Sequence, residues 1–136
     1  PQAELIVITT PQLMAQKVAT RVADMAKRSF IPLLGVIENM SYFESNTGEK
    51  FNIFGEGGGE ALSDKFGIPL LGKIPIGENT NDIADGGTPL INQENNSVTK
   101  VEIEKLINNI AIKLPPIIDE TCTGRLAKVF EELSNQ

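Results

Sequence analysis

The sequence predicts an α/β fold built on a parallel sheet. Three short apolar segments alternate along the chain with longer segments in which apolar residues recur at helical spacing. Continuous apolar runs are typical of strands covered on both faces, and their alternation with helices favours right-handed parallel crossovers. The 136 residues, 40% of them hydrophobic and 22% charged, are enough for one domain or most of one.

The first predicted strand covers residues 4–9, and a helix over 12–28 follows it. The apolar positions of this helix recur at helical spacing, which predicts a single buried stripe. The turn between the two elements, Thr9-Thr10-Pro11-Gln12, is typical of a helix start, so we expect a threonine N-cap. A nucleotide relay or a subunit contact at Thr9, Thr10 and Gln12 stays an alternative. The predicted stripe consists of Leu13, Met14, Val18, Val22, Met25 and Ala26.

A second predicted strand covers residues 33–37, and a hairpin is expected over 42–54. The aromatic residues Phe43, Phe51 and Phe54 at its ends are expected to form a small core beneath it. A helix over 58–66 follows a run of glycines, and Gly67 is expected to cap its C-terminus.

The third predicted strand covers residues 70–75. Helices are then expected over 79–85, over 97–113 and over 123–134. We assign residues 1–91 to the main part of the domain and residues 92–136 to a helical segment or tail. The stripe of the helix over 97–113 is predicted to consist of Val98, Val101, Leu106, Ile107 and Ile110.

The chain opens on Pro1 and enters an apolar strand within a few residues. With nothing before it, that strand would leave an unpaired apolar edge in a thin sheet. We therefore expect a truncated chain that belongs to a longer protein.

The composition excludes several classes of function. The formal net charge of −6 argues against a general nucleic-acid binder. The absence of histidine from the sequence excludes a histidine metal ligand or a Ser-His-Asp triad within it. The sequence shows no apolar run long enough to span a membrane and no signal peptide. The single cysteine, Cys122, fits a reducing compartment, so we expect a cytoplasmic protein without a membrane partner.

Two groups of residues are candidates for ligand contact. The cluster Gly55-Glu56-Gly57-Gly58-Gly59 is either an anion-binding nest or a close approach of helix and sheet. Glu56, Glu60 and the lack of a following lysine favour close approach. Asn39, expected just past a strand end, either reads the edge of a base or turns the chain. Pro75 either lies on a purine face or ends its strand, and Glu38 is expected to be solvated or hydrogen-bonded.

Four segments together resemble the second half of Mrp/ApbC ATPases. They are Thr9-Thr10-Pro11-Gln12, Leu34 to Ser41 with its Glu-Asn-Met-Ser ending, Ile53 to Glu60 with its glycine run, and Gly67 to Pro75. The resemblance covers residues 4–91. It implies the C-terminal part of a P-loop NTPase with a deviant Walker A motif, related to MinD and ParA.

The resemblance also implies a function for the intact protein. Members of the family form dimers around ATP and Mg, hydrolyse the ATP and carry iron–sulfur clusters to acceptor apoproteins. A homodimer with such acceptors as partners is therefore expected. By resemblance, Asn39 matches the adenine-reading asparagine, and Pro75 and Ile76 match the segment that lies along the adenine.

The sequence departs from the family pattern in two ways. No G-x-x-x-x-G-K-[ST] motif occurs in the 136 residues, so we expect no ATP hydrolysis from this chain alone. Many members carry a C-x-x-C pair after the Glu-Asn-Met-Ser motif, whereas the corresponding segment of this chain, residues 42–49, has no cysteine. Cluster iron needs thiolate ligands, so cluster binding in that manner is not expected. A MinD-like positioning ATPase and a non-catalytic interaction domain remain the alternatives.

Overall fold

The computed structural model describes residues 3–77, 87, 89–92 and 97–114. The predicted helices over 79–85 and 123–134, and Cys122, lie outside these residues. The elements in chain order are β1 (Leu5–Thr9), α1 (Leu13–Arg28), β2 (Leu33–Glu44), β3 (Lys50–Phe51), α2 (Gly58–Phe66), β4 (Leu70–Ile76), a 3-10 turn (Leu90–Asn92) and α3 (Val98–Lys113).

The sheet is parallel except for one short strand, which confirms the predicted α/β class. Strand β2 is central, with β1 parallel to it on one side and β4 parallel to it on the other. Val36 of β2 lies opposite both Val7 of β1 and Leu70 of β4. The two-residue strand β3 runs antiparallel to the end of β2, where Phe51 pairs with Phe43, and this confirms the predicted hairpin.

Strand β2 is longer than predicted, because it continues through the Glu-Asn-Met-Ser motif to Glu44. The expectation that Asn39 lies past the end of its strand is therefore wrong. The regular ladder with β4 is nevertheless interrupted between Asn39 and Phe43. Met40 lies in this interval with φ of 53°, a left-handed conformation that few non-glycine residues adopt.

The core is divided between the two faces of the sheet, because successive residues of a strand point to opposite sides. On one face, α1 and α2 pack through Ala19, Ala23 and Leu62 onto Val7 and Val36. On the other face, Leu106 of α3 packs onto Ile37 and Leu71.

Helix α1 buries a stripe that shares only Ala26 with the one predicted. Its buried residues are Ala19, Ala23 and Ala26. Among the larger residues of the predicted stripe, Met14 is 70% exposed and Val18 is 58% exposed. The small alanines allow the helix to approach the sheet closely, and this turns the larger side chains away from it.

Two further expectations about apolar residues are wrong, the first only in part. On α3, the predicted residues Leu106 and Ile110 do pack against the core. Ile107 is 46% exposed and Thr99 is buried, so the stripe is rotated from the predicted one. The aromatic residues of the hairpin form no buried core: Phe51 is exposed and Phe43 and Phe54 are only partly covered. Strand β3 has only two residues and, among the described strands, pairs with β2 alone.

The exposed stripe of α1 and the edge strand β1 lead to a prediction about the isolated 136-residue chain. We expect it to self-associate in solution, because β1 is an edge strand among the described residues and exposed apolar surface next to such an edge favours association. Val18→Glu should shift the mass measured by multi-angle light scattering towards that of one chain. Arg21→Glu, on an exposed position of the same helix, is the control and should leave the mass unchanged. A single-chain mass for the unaltered protein would contradict the prediction.

Candidate functional site

The carboxyl ends of β1, β2 and β4 meet at one edge of the sheet, because the three strands are parallel. This is the edge at which open α/β sheets bind ligands. Asn39 of β2 lies opposite Ile74 of β4. Two of the predicted site residues, Asn39 and Pro75, are therefore on adjacent strands and one register step apart.

The side chain of Asn39 is held in one orientation by its own backbone. Its Oδ1 accepts a hydrogen bond of 2.9 Å from the Met40 amide. Met40 itself has a left-handed backbone, with φ of 53°. Among the described residues the Nδ2 group has no hydrogen-bond acceptor, so the half-buried side chain presents an oriented donor at the sheet edge.

The other predicted site residues, Pro75 and Ile76, end strand β4. Pro75 is buried, whereas Ile76 is only partly covered and lies opposite Phe43 of β2. Of the two, Ile76 has the greater surface left to contact a flat apolar ligand.

Glu38 is the site residue whose role the sequence did not indicate. It is fully buried, at 0% exposure. Its Oε1 accepts a hydrogen bond of 2.5 Å from the Ser41 hydroxyl, and its Oε2 accepts one of 2.5 Å from the Gly59 amide. The expectation of a hydrogen-bonded carboxylate is confirmed, but the alternative of a solvated one is wrong. Gly59 is 21 residues away in sequence, so no local pattern could have indicated this partner.

The glycine cluster allows α2 to approach the sheet closely. A Cβ on Gly59 would lie 2.9 Å from the Glu38 Cβ and 2.8 Å from the Leu70 Cδ1. A Cβ on Gly58 would lie 2.8 Å from the Thr10 carbonyl oxygen. These distances confirm the interpretation of close approach. The helix dipole stabilises negative charge at the N-terminus of α2. The group that occupies this position is the chain's own Glu38 carboxylate.

The turn after β1 does not contain the expected threonine cap. The N-cap of α1 is Gln12, whose side chain makes no capping hydrogen bond. The Thr9 hydroxyl donates instead to the Thr10 carbonyl at 3.1 Å, and Gln16 Nε2 donates to the Pro11 carbonyl at 2.8 Å. A groove of about 380 Å³ extends from Thr10 and Asn39 along β1 and α1.

Lys73 of β4 joins the two glutamates of the site. Its Nζ forms an ion pair with Glu60 and lies 3.9 Å from Glu38 Oε1. The hydrogen bond from Lys73 lowers the pKa of Glu60 below its ordinary value of 4.5. The same hydrogen bond raises the pKa of Lys73 above its ordinary value of 10.5.

The Lys73–Glu60 pair predicts a small stability contribution that depends on pH. Because the pKa of Glu60 is lowered on folding, its contribution is present above pH 4.5 and is lost as the pH falls through the folded value. Both side chains are partly exposed, so we expect only about 0.2–1 kcal/mol at pH 7. Urea unfolding of wild type and Glu60→Gln should differ by that amount at neutral pH, and the two should converge as the pH falls through the lowered pKa of Glu60. Asp64→Asn, exposed on the same helix, is the control, and a difference that persists in acid would contradict the assignment.

The described residues offer neither a metal site nor a membrane span. They contain no group of three or more His, Cys, Asp or Glu side chains that could hold a metal ion. In the same part of the chain, no helix is long and apolar enough to cross a membrane.

Comparison with known proteins gives a family match and a shared fold. Residues 1–111 match the ParA-group family described as NUBPL iron-transfer P-loop NTPase. Over 109 residues the chain is 39% identical to an iron-sulfur cluster carrier protein of Pyrococcus horikoshii, covering 77% of this chain and 37% of that protein. The chain therefore spans little more than a third of that relative's length.

Two solved structures share this fold. A nucleotide-binding protein from Archaeoglobus fulgidus, in complex with ADP, is 34% identical with a TM-score of 0.52, covering 60% of this chain and 34% of that one. The cell division ATPase MinD of Pyrococcus furiosus is 20% identical with a TM-score of 0.61, covering 82% of this chain and 43% of that one. The second likeness concerns the fold alone.

Proposed function

The chain belongs to the NUBPL iron-transfer P-loop NTPase family, and from that premise we propose that it supplies the base-binding side of a nucleotide site. In the intact protein, ATP hydrolysis at that site would be coupled to carriage of iron–sulfur clusters. The observation that carries this proposal is the oriented amide of Asn39 at the sheet edge, next to Pro75 and Ile76.

The chemistry of the three residues fits an adenine. With Oδ1 occupied by the Met40 amide, the Nδ2 group of Asn39 is left to donate to a ring nitrogen of the base. Ile76 offers apolar surface for the face of the ring. The similarity to a protein solved with ADP supports the same class of ligand.

The phosphates and Mg of ATP do not fit the described residues of this chain. The N-terminus of α2 already binds the Glu38 carboxylate, and Glu56 and Glu60 would repel a phosphate. We therefore assign phosphate and Mg binding to parts of the intact protein outside these 136 residues. The 136-residue chain alone is expected to show no ATP hydrolysis in a phosphate-release assay, and turnover by a pure sample would contradict this.

Iron–sulfur clusters would be the cargo of the intact protein. Cluster iron needs thiolate ligands, and residues 42–49 of the hairpin offer none. We propose that ligands for the cargo come from outside this hairpin, in a homodimer that delivers clusters to acceptor apoproteins.

Nucleotide contact is tested by Asn39→Ala in the full-length protein. We expect the affinity for ADP, measured by calorimetry, to fall about tenfold, equivalent to roughly 1.4 kcal/mol. Asn46→Ala, on the exposed turn of the hairpin, is the matched control and should bind ADP like the wild type. An unchanged affinity in Asn39→Ala would remove the basis of the proposal.

Cluster carriage is tested separately by iron and sulfide analysis of the full-length protein after anaerobic reconstitution. Stoichiometric iron and sulfide would support the carrier function. A protein that stays free of cluster but hydrolyses ATP would favour the second candidate, a MinD-like nucleotide-switched positioning ATPase. The hairpin without cysteines is the observation that favours this second candidate.

A further inference from the structure

We propose that Glu38 is a positioning residue for nucleotide binding, which acts by fixing the orientation of Asn39. Its buried carboxylate ties the middle of β2 to the start of α2 and closes the Asn39–Met40 segment. This inference rests on the proposed contact between Asn39 and the base.

The hydrogen bond between Glu38 and Ser41 encloses the segment that carries Asn39. The donor and acceptor are three residues apart, and Asn39 and Met40 are the two residues between them. Met40 has a left-handed backbone, and its amide holds the Asn39 side chain. The Glu38–Ser41 bond therefore supports the conformation on which the orientation of the Asn39 amide depends.

The second oxygen of Glu38 fixes this segment relative to the rest of the fold. It accepts from the amide of Gly59, in the first turn of α2, and α2 packs through Leu62 against the core. The carboxylate is fully buried, so water does not compete for either donor. Asn39 is thus anchored to a packed helix through its immediate neighbour in sequence.

The length of the side chain at position 38 distinguishes a positioning role from a requirement for charge alone. Asp at position 38 keeps the charge, but its carboxylate is shorter by one carbon–carbon bond, about 1.5 Å. Both hydrogen bonds, at 2.5 Å in the wild type, would then be broken. Gln at position 38 keeps the length and loses the charge. Positioning therefore predicts a larger defect in Glu38→Asp than in Glu38→Gln, whereas a purely electrostatic role predicts the opposite order.

The test uses the full-length protein and two probes, ADP and inorganic pyrophosphate. For Glu38→Asp we expect the affinity for ADP to fall about tenfold, the scale expected for loss of the Asn39 contact. The affinity for pyrophosphate should be unchanged, because pyrophosphate has no base. Glu38→Gln keeps the shape of the buried side chain and should lose less affinity for ADP than Glu38→Asp. This variant keeps the test informative if Glu38→Asp folds poorly.

A double-mutant cycle with Asn39→Ala separates the inference from the proposed function. If Glu38 acts through Asn39, then adding Glu38→Asp to Asn39→Ala causes no further loss of ADP affinity. Equal losses for ADP and pyrophosphate, an additive loss in the double mutant, or a larger defect in Glu38→Gln would each overturn the positioning role. An unchanged ADP affinity in Asn39→Ala alone would instead overturn the proposed base contact on which the inference rests.

Discussion

Gly59→Ala is expected to destabilise the full-length protein by about 1–3 kcal/mol, the range for overpacking a well-packed interior. The added methyl group would lie 2.9 Å from the Glu38 Cβ and 2.8 Å from the Leu70 Cδ1. To make room for it, α2 would have to move away from β2, and this movement would lengthen the hydrogen bond from the Gly59 amide to Glu38.

Urea unfolding followed by circular dichroism measures this effect. Ala61→Gly, on an exposed position of the same helix, is the control. It changes helix propensity by about 1 kcal/mol and introduces no clash. A Gly59→Ala protein within about 0.5 kcal/mol of wild type would show that α2 is not held as closely as described.

Gly35→Ala is expected to have a still larger effect, at or above the upper end of the same range, about 3 kcal/mol. Its Cβ would lie 2.6 Å from the Leu71 Cγ and 2.6 Å from the Pro69 carbonyl oxygen. A side chain can adopt another rotamer, but the carbonyl belongs to the backbone that leads into β4. The pairing of β2 with β4, which places Asn39 near Pro75, would be distorted.

A double-mutant cycle combines Gly35→Ala with Leu71→Ala and compares their free energies of unfolding. Alone, Leu71→Ala should cost about 2–5 kcal/mol, as expected for a buried leucine. In combination, the two substitutions should cost less than their sum, because the smaller side chain at position 71 relieves part of the clash. Full additivity would show that the clash lies entirely with the Pro69 carbonyl.

The order of the elements could be predicted from periodicity and from glycine and proline positions. Three predicted elements agree with the structure to within a residue or so: the strands over 4–9 and 70–75 and the helix over 58–66. Gly67 does cap α2, with φ of 64°. These features depend on neighbours in the sequence, which is why a single sequence is enough to predict them.

The buried face of α1 could not be predicted in the same way. Ala19, Ala23 and Ala26 also recur at helical spacing, so the helix carries two candidate stripes. Which stripe faces the sheet depends on how closely the helix can approach it, and that is a property of the packed pair. Hydrophobicity alone favoured the larger side chains, and of the predicted residues only Ala26 is buried.

The candidate site was predictable in part. The sequence identified Asn39, Pro75 and Ile76, and the structure brings them to one edge of the sheet; their contact with a base remains a prediction. The role of Glu38 depends on a partner remote in sequence and on complete burial. Neither property follows from the local pattern around it.

The two hydrogen bonds of Glu38 also bear on how the chain between them can vary. Ser41 and Gly59 are held by one carboxylate, so the intervening hairpin forms a loop whose ends are already fixed. For a flexible loop, each doubling of length costs only about 0.6 kcal/mol of closure entropy. Insertions at the hairpin turn, around Asn46 and Gly48, should therefore be tolerated thermodynamically. Evolution or design can thus rebuild this loop with new residues without disturbing the part of the sheet that carries Asn39, Pro75 and Ile76.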